Sequence, residues 1–160
     1  MRRLEKLRAR LNLRALGPVA SVPVLQAALS GLGAFIALGF AAALSSLTEG
    51  TPAALVLIAP LGASAVLVFG AVSSPLAQPW PVIVGSTSSA VVALLVCALV
   101  PIHGLAIALS VGLAIVAMAL LRATHPPGGA VALTVALASE AGATPSPWFA
   151  LLPVAAGSLF

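Results

Sequence analysis

The fold class this sequence predicts is all-α: a polytopic bundle of transmembrane helices, some of them interrupted. Three observations point there. Hydrophobic residues fill 61% of the 160 positions and charged residues only 6%, where soluble domains hold about 45 to 50% apolar residues and about 25% charged ones. A soluble chain of this size has neither enough interior to hide that apolar surface nor enough polar surface to cover itself. The apolar residues also fall in runs about as long as a bilayer is thick, and two of these runs are broken by proline and glycine.

The chain begins with a basic segment, residues 1–21, followed by a transmembrane domain over 22–160. The net charge of +4 suggests a nucleic-acid partner only until the charges are located, because seven of the ten lie in the first 14 positions. The others are Glu49, Arg122 and Glu140. The charge therefore belongs to a short tail, and no nucleic-acid-binding face is expected. A cleaved signal peptide is disfavoured, because the apolar run from Val22 to Leu47 is longer than the ~7 to 15 residues of a signal core. Cys97 is the single cysteine, so the sequence offers neither an intrachain disulfide nor a thiol pair for a metal.

A bilayer core of about 30 Å takes about 20 helical residues. Val22 to Leu47, Pro52 to Val72, Pro81 to Ile102 and Gly104 to Leu121 each reach that length or come close. Pro126 to Ser139 and Trp148 to Phe160 are too short, at about 20 Å, to cross unaided. The basic tail places the N-terminus in the cytoplasm, which puts Arg122 inside and Glu49, His103 and Glu140 outside. The expected location is a bacterial cytoplasmic (inner) membrane. Small residues at intervals of four, Gly33, Ala37 and Ala41, let helix backbones approach closely in lipid. Packing within the chain explains that stripe more readily than an oligomer interface does. A bundle with so few helices has little interior, however, and a homo-oligomer is expected.

Two breaks stand out from the lipid-compatible background. Ala59-Pro60-Leu61-Gly62-Ala63-Ser64 lies inside the second run, and Thr124-His125-Pro126-Pro127-Gly128-Gly129-Ala130 follows the fourth. Proline removes a backbone donor and glycine permits non-helical torsions, so each break can interrupt or restart a helix. A helix that starts at membrane depth presents unpartnered N–H groups and a positive dipole end, which suit an anion. Residues 60–67 and 126–133 also match at proline, glycine and leucine. With the two runs travelling in opposite directions, this is the mark of an inverted-repeat transporter. The competing reading is two proline kinks tolerated by neighbouring helices.

Other polar residues carry less. Arg122 is better explained as an interfacial anchor than as an attractor of anions, and His103, Glu49 and Glu140 as loop residues. The hydroxyls of Ser86-Thr87-Ser88-Ser89 either bond the preceding turn of their own helix or line a polar path.

At the second break the chain resembles the HPP family of integral membrane proteins, named for the motif that here is His125-Pro126-Pro127. The resemblance extends to Pro60-Leu-Gly-Ala-Ser-Ala-Val-Leu-Val-Phe69 and Ser74-Pro-Leu-Ala-Gln-Pro-Trp80. It implies about four spanning helices and a transport activity, and plant plastid members of the family are linked to nitrite. Where the family often has a polar residue, a glycine pair and then His or Asn, this chain has Pro81, Val84-Gly85 and Ser86, so Ser86 stands where a polar ligand is expected.

An enzyme is not expected. The chain has no Asp and no Tyr, no orienting carboxylate at membrane depth for a Ser64/His125 pair, no phosphate-binding loop and no clustered metal ligands. The sequence reading is a transporter or channel for a small inorganic anion, with nitrite favoured by the resemblance. The alternative is a regulatory or structural membrane subunit without transport activity. The expected binding residues are Gly62, Ala63, Ser64, Ser86, Thr124, His125, Pro126, Pro127, Gly128 and Gly129, with no cofactor and no metal. The expected partners are the anion and the lipid bilayer.

Overall fold

The computed structural model describes residues 23–47 and 58–158. The basic segment and Glu49 lie outside the described residues. The helices are α1 (Val24–Leu47), α2 (Ile58–Gly70), α3 (Ser86–Leu99), α4 (His103–Leu120) and α5 (Pro126–Glu140). A single wide π turn, Pro81–Gly85, leads into α3. After α5 the chain forms a 3₁₀ turn, Pro147–Ala150, and a second π turn, Leu151–Ala155. No strand occurs among the described residues.

Two of these elements, Pro81–Leu99 and His103–Leu120, are long and apolar enough to cross a membrane, while Val24–Phe40 and Ala59–Gly70 are shorter apolar stretches. Trp80 and Trp148 are both exposed.

The HPP helix is the centre of the bundle, since α5 packs against α2, α3 and α4, whereas α1 packs on α2. Small side chains permit this close assembly. Ala90 and Ala93 of α3, Ala114 of α4, and Val131, Ala132 and Val135 of α5 form one core, which Phe149, Ala150 and Val154 close from the C-terminal side. The buried face of α4 repeats every four residues, at Ala106, Ser110, Ala114 and Met118. Gly33 lies against the ring of Phe69 and the Ser30 hydroxyl donates to the Phe69 carbonyl at 2.6 Å. The small-residue stripe of α1 is thus used at Gly33 for packing within the chain.

Helices α4 and α5 end in the same way. The Ala123 and Arg122 N–H groups bond the Met118 and Ala119 carbonyls, and the Ala143 and Gly142 N–H groups bond the Ala138 and Ser139 carbonyls. Both pairs are the double closure of a Schellman motif, whose first residue past the cap is left-handed. That residue is Gly142 at φ 75° in one helix and Arg122 at φ 52° in the other. The exposed Trp80 indole adds a bond to the Leu121 carbonyl at 3.2 Å.

Pro60 is the third residue of α2 as described. The second break is a helix start, with His125 extended at φ −134° and ψ 105° as the residue before α5.

Candidate functional site

Everything polar about the second break turns on His125, whose side chain is fully buried. Its Nδ1 is 2.9 Å from the Leu76 carbonyl oxygen and its Nε2 is 2.9 Å from the Ser64 Oγ. A carbonyl can only accept, so Nδ1 carries the hydrogen. The neutral ring then accepts at Nε2, and Ser64 donates. One imidazole thereby joins α2, the turn after α2 and the start of α5.

Ser64 is six residues before the end of α2 at Gly70, so α5 begins about 9 Å inside that end of its neighbour at 1.5 Å per residue. That start is a helix N-terminus at depth, with its dipole's positive pole inside the bundle. It offers fewer donors than an ordinary helix start. Pro126 and Pro127 occupy the first two positions and have no N–H, and the Gly128 N–H is bonded to the His125 carbonyl at 2.8 Å.

Two glycines set the close approach of α3 to this point. A side-chain carbon on Gly85 would collide with the Ala123 carbonyl and lie 2.9 Å from the His125 Cβ. A side-chain carbon on Gly128 would lie 2.9 Å from the Ser89 Oγ and from the Met118 Sδ, and 3.1 Å from the Gly85 carbonyl oxygen. Gly128 is therefore a packing position. Gly129 and Gly62 have open space where a side chain would stand. Thr124, Pro126 and Ala63 are exposed, while Pro127 and Ser86 are buried.

The wide turn before α3 explains its run of hydroxyls. Thr87 donates to the Ile83 carbonyl at 2.7 Å, and Ser88 and Ser89 both donate to the Gly85 carbonyl at 3.1 and 2.8 Å. A π turn disturbs the regular ladder, and these three hydroxyls bond carbonyls in and beside it. Of the two readings of the run, bonding to the preceding turn holds for Thr87, Ser88 and Ser89.

The structure thus brings Ser64 and His125 into contact, sets Gly128 against α3 and leaves Gly62, Ala63, Thr124 and Gly129 accessible at the edges. The sequence reading missed two participants. Leu76 contributes only its main chain, which no side-chain motif reports. Gly85 was visible as a lone glycine in an apolar run, and its contact with residues 123–125 is long-range. Among the described residues no group of three or more metal-ligating side chains comes together.

The family model described as the HPP transmembrane region matches residues 19–160. Two curated relatives, both named only as transmembrane proteins of Dictyostelium discoideum, are 42% identical over 111 residues and 41% identical over 112. These matches cover 64% and 65% of this chain, but 34% and 38% of the relatives. The aligned region thus spans little more than a third of the proteins it matches. No solved structure matches the chain.

Proposed function

This chain belongs to the HPP transmembrane family and is an integral membrane protein, and on that premise we propose that it moves a small inorganic anion across the bilayer, with nitrite favoured by the family resemblance. The observation that carries the reading is the fully buried His125 at the N-terminal end of α5, paired with Ser64 inside α2. A buried polar pair at the positive pole of a helix, inside a bundle of this apolarity, is the kind of place where an anion exchanges water for protein. Ser64 and His125 supply the side-chain contacts. The edge formed by Gly62, Ala63, Thr124, Pro126 and Gly129 supplies access, and Pro127, Gly128 and Ser86 hold the geometry from behind. The matched proline breaks of α2 and α5 support an inverted repeat meeting at this point.

In this reading the protein is neither an enzyme nor a cofactor carrier. It works as a homo-oligomer in a cytoplasmic membrane of bacterial type, with the basic segment inside. Labelling of Glu140→Cys by an impermeant reagent, after Cys97→Ala, checks the orientation. Labelling only from the cytoplasmic face reverses it.

Purified protein in liposomes, given nitrite, nitrate, chloride and formate in turn, tests the function. Protein-dependent nitrite uptake is the expected result, and no uptake of any anion overturns the reading. A second reading, a structural membrane subunit, draws on the fact that both ring nitrogens of His125 are engaged by the chain's own groups. It predicts no flux in the same assay.

A further inference from the structure

Resting on the transport reading above, we propose that His125 and Ser64 form a proton-binding site that takes up one proton with each anion, so that the two cross the membrane as an electroneutral pair.

The geometry leaves a second proton one place to go. The Leu76 carbonyl fixes the first on Nδ1, so an incoming proton must bind Nε2, which faces the Ser64 Oγ at 2.9 Å. A serine hydroxyl has one hydrogen and two lone pairs. While the ring is neutral that hydrogen points at Nε2. Once Nε2 is protonated the bond reverses: Nε2–H donates to Oγ, and the hydroxyl hydrogen must turn elsewhere. Ser64 is half-buried where His125 is fully buried, so the freed donor lies on the accessible side of the pair. The proton comes from water, occupies the Nε2 lone pair and returns to water. No other covalent bond is made or broken.

Charge completes the argument. Among the described residues α1, α2, residues 71–80 and the C-terminal segment 147–158 have no charged or titratable side chain. Helix α3 has only Cys97, twelve residues beyond Gly85, or roughly 18 Å along the helix. Helix α4 has His103 at its far end, and exposed Arg122 follows its near end with the same sign as a protonated ring. Glu140 closes the far end of α5, roughly 22 Å away. Among the described residues a protonated His125 therefore has no carboxylate beside it, and a buried cation so placed is an arrangement proteins avoid unless a counter-ion arrives. The transported anion is that counter-ion. Each ligand removes the cost of the other, and the coupling is reciprocal.

The test uses the full chain in liposomes with a pH indicator in the lumen. Nitrite and nitrate serve as probes, and protein-free vesicles give the leak. Uptake should acidify the lumen by one proton per anion and should be unchanged when a potassium gradient with valinomycin sets the membrane potential to either sign. Its rate should rise up to about tenfold per unit fall in pH while the imidazole is mostly neutral. His125→Gln should abolish the acidification while some anion uptake remains. Ser64→Ala, which keeps the ring and removes its partner, should lower the proton-to-anion ratio; it also serves if His125→Gln fails to insert. Anion uptake without acidification, uptake that follows the imposed potential, or full coupling in both variants would overturn the proposal. Absence of any protein-dependent uptake overturns the transport reading and this one with it. Anion uptake without protons leaves the transport reading standing.

Discussion

Arg122 and Gly142 occupy the same position in the same helix-terminating motif, one at the end of α4 and the other at the end of α5, and both have positive φ. Glycine adopts that conformation without cost. An L-residue with a β-carbon loses roughly 1 to 2 kcal/mol there. Arg122→Gly should therefore stabilise the protein by about 1 kcal/mol in detergent unfolding curves, although it removes a charge and a long side chain. An unchanged or lower midpoint would show that the arginine side chain compensates the strain through its surroundings.

Glycines that neighbour one another in the sequence should respond in opposite ways. Gly128→Ala pushes a methyl against the Ser89 Oγ and the Gly85 carbonyl and should cost about 1 to 3 kcal/mol, as overpacking does. Gly85→Ala should be worse, because what it meets is the main chain of Ala123 and the Cβ of His125. Gly129→Ala meets nothing and should be neutral, or stabilising by up to about 1 kcal/mol in a helix interior. Unfolding curves for the three variants check the ranking. It also decides which glycine tests anion access. Gly129→Leu can report on transport in a folded protein, whereas Gly128→Leu reports mainly on packing.

The bonding of His125 predicts its tautomer. Nitrogen-15 spectra of histidine-labelled protein near neutral pH should show a neutral ring with hydrogen on Nδ1, assigned by its loss in His125→Gln. His103, exposed at the start of α4, supplies the reference signal. A ring with hydrogen on Nε2 alone is incompatible with donation to the Leu76 carbonyl and would remove the link between α5 and the turn after α2.

Ser110 sits on the buried face of α4, fully enclosed, and its Oγ has no hydrogen-bond partner among the described residues. Removing an unsatisfied buried hydroxyl relieves a penalty instead of breaking a bond. Ser110→Ala should be neutral or stabilising by about 1 kcal/mol, whereas Ser64→Ala, which strips the Nε2 partner, should destabilise by a similar amount. Thermal midpoints of the two variants measured together check the contrast in sign.

Much of the bundle was legible because bilayer thickness ties apolar run length to helix length. The runs from Pro81 and Gly104 correspond to Pro81–Leu99 and His103–Leu120. The HPP break was legible because two prolines and two glycines leave a helix no way to pass through. Partner choice was not. That His125 would bond Leu76 depends on how the turn at residues 71–80 folds back, and a main-chain carbonyl has no signature in composition. The chemistry of Pro126 and Pro127 was in plain view, yet treating the start of α5 as a set of free N–H donors overlooked that two of them do not exist. Gly128 stands among the expected binding residues, and its bareness also serves the approach of Gly85 and Ser89. From sequence, a glycine needed by a neighbouring helix and one needed by an anion look alike.

Both partners of His125 precede it in the chain, Ser64 by 61 residues and Leu76 by 49. In synthesis from the N-terminus, α2 and the turn after it leave the ribosome before the imidazole does, so the ring enters lipid with its acceptor and its donor already in place. Helix α5 thus arrives as a keystone, and a chain arrested before His125 would leave a serine hydroxyl and a main-chain carbonyl waiting in the bilayer.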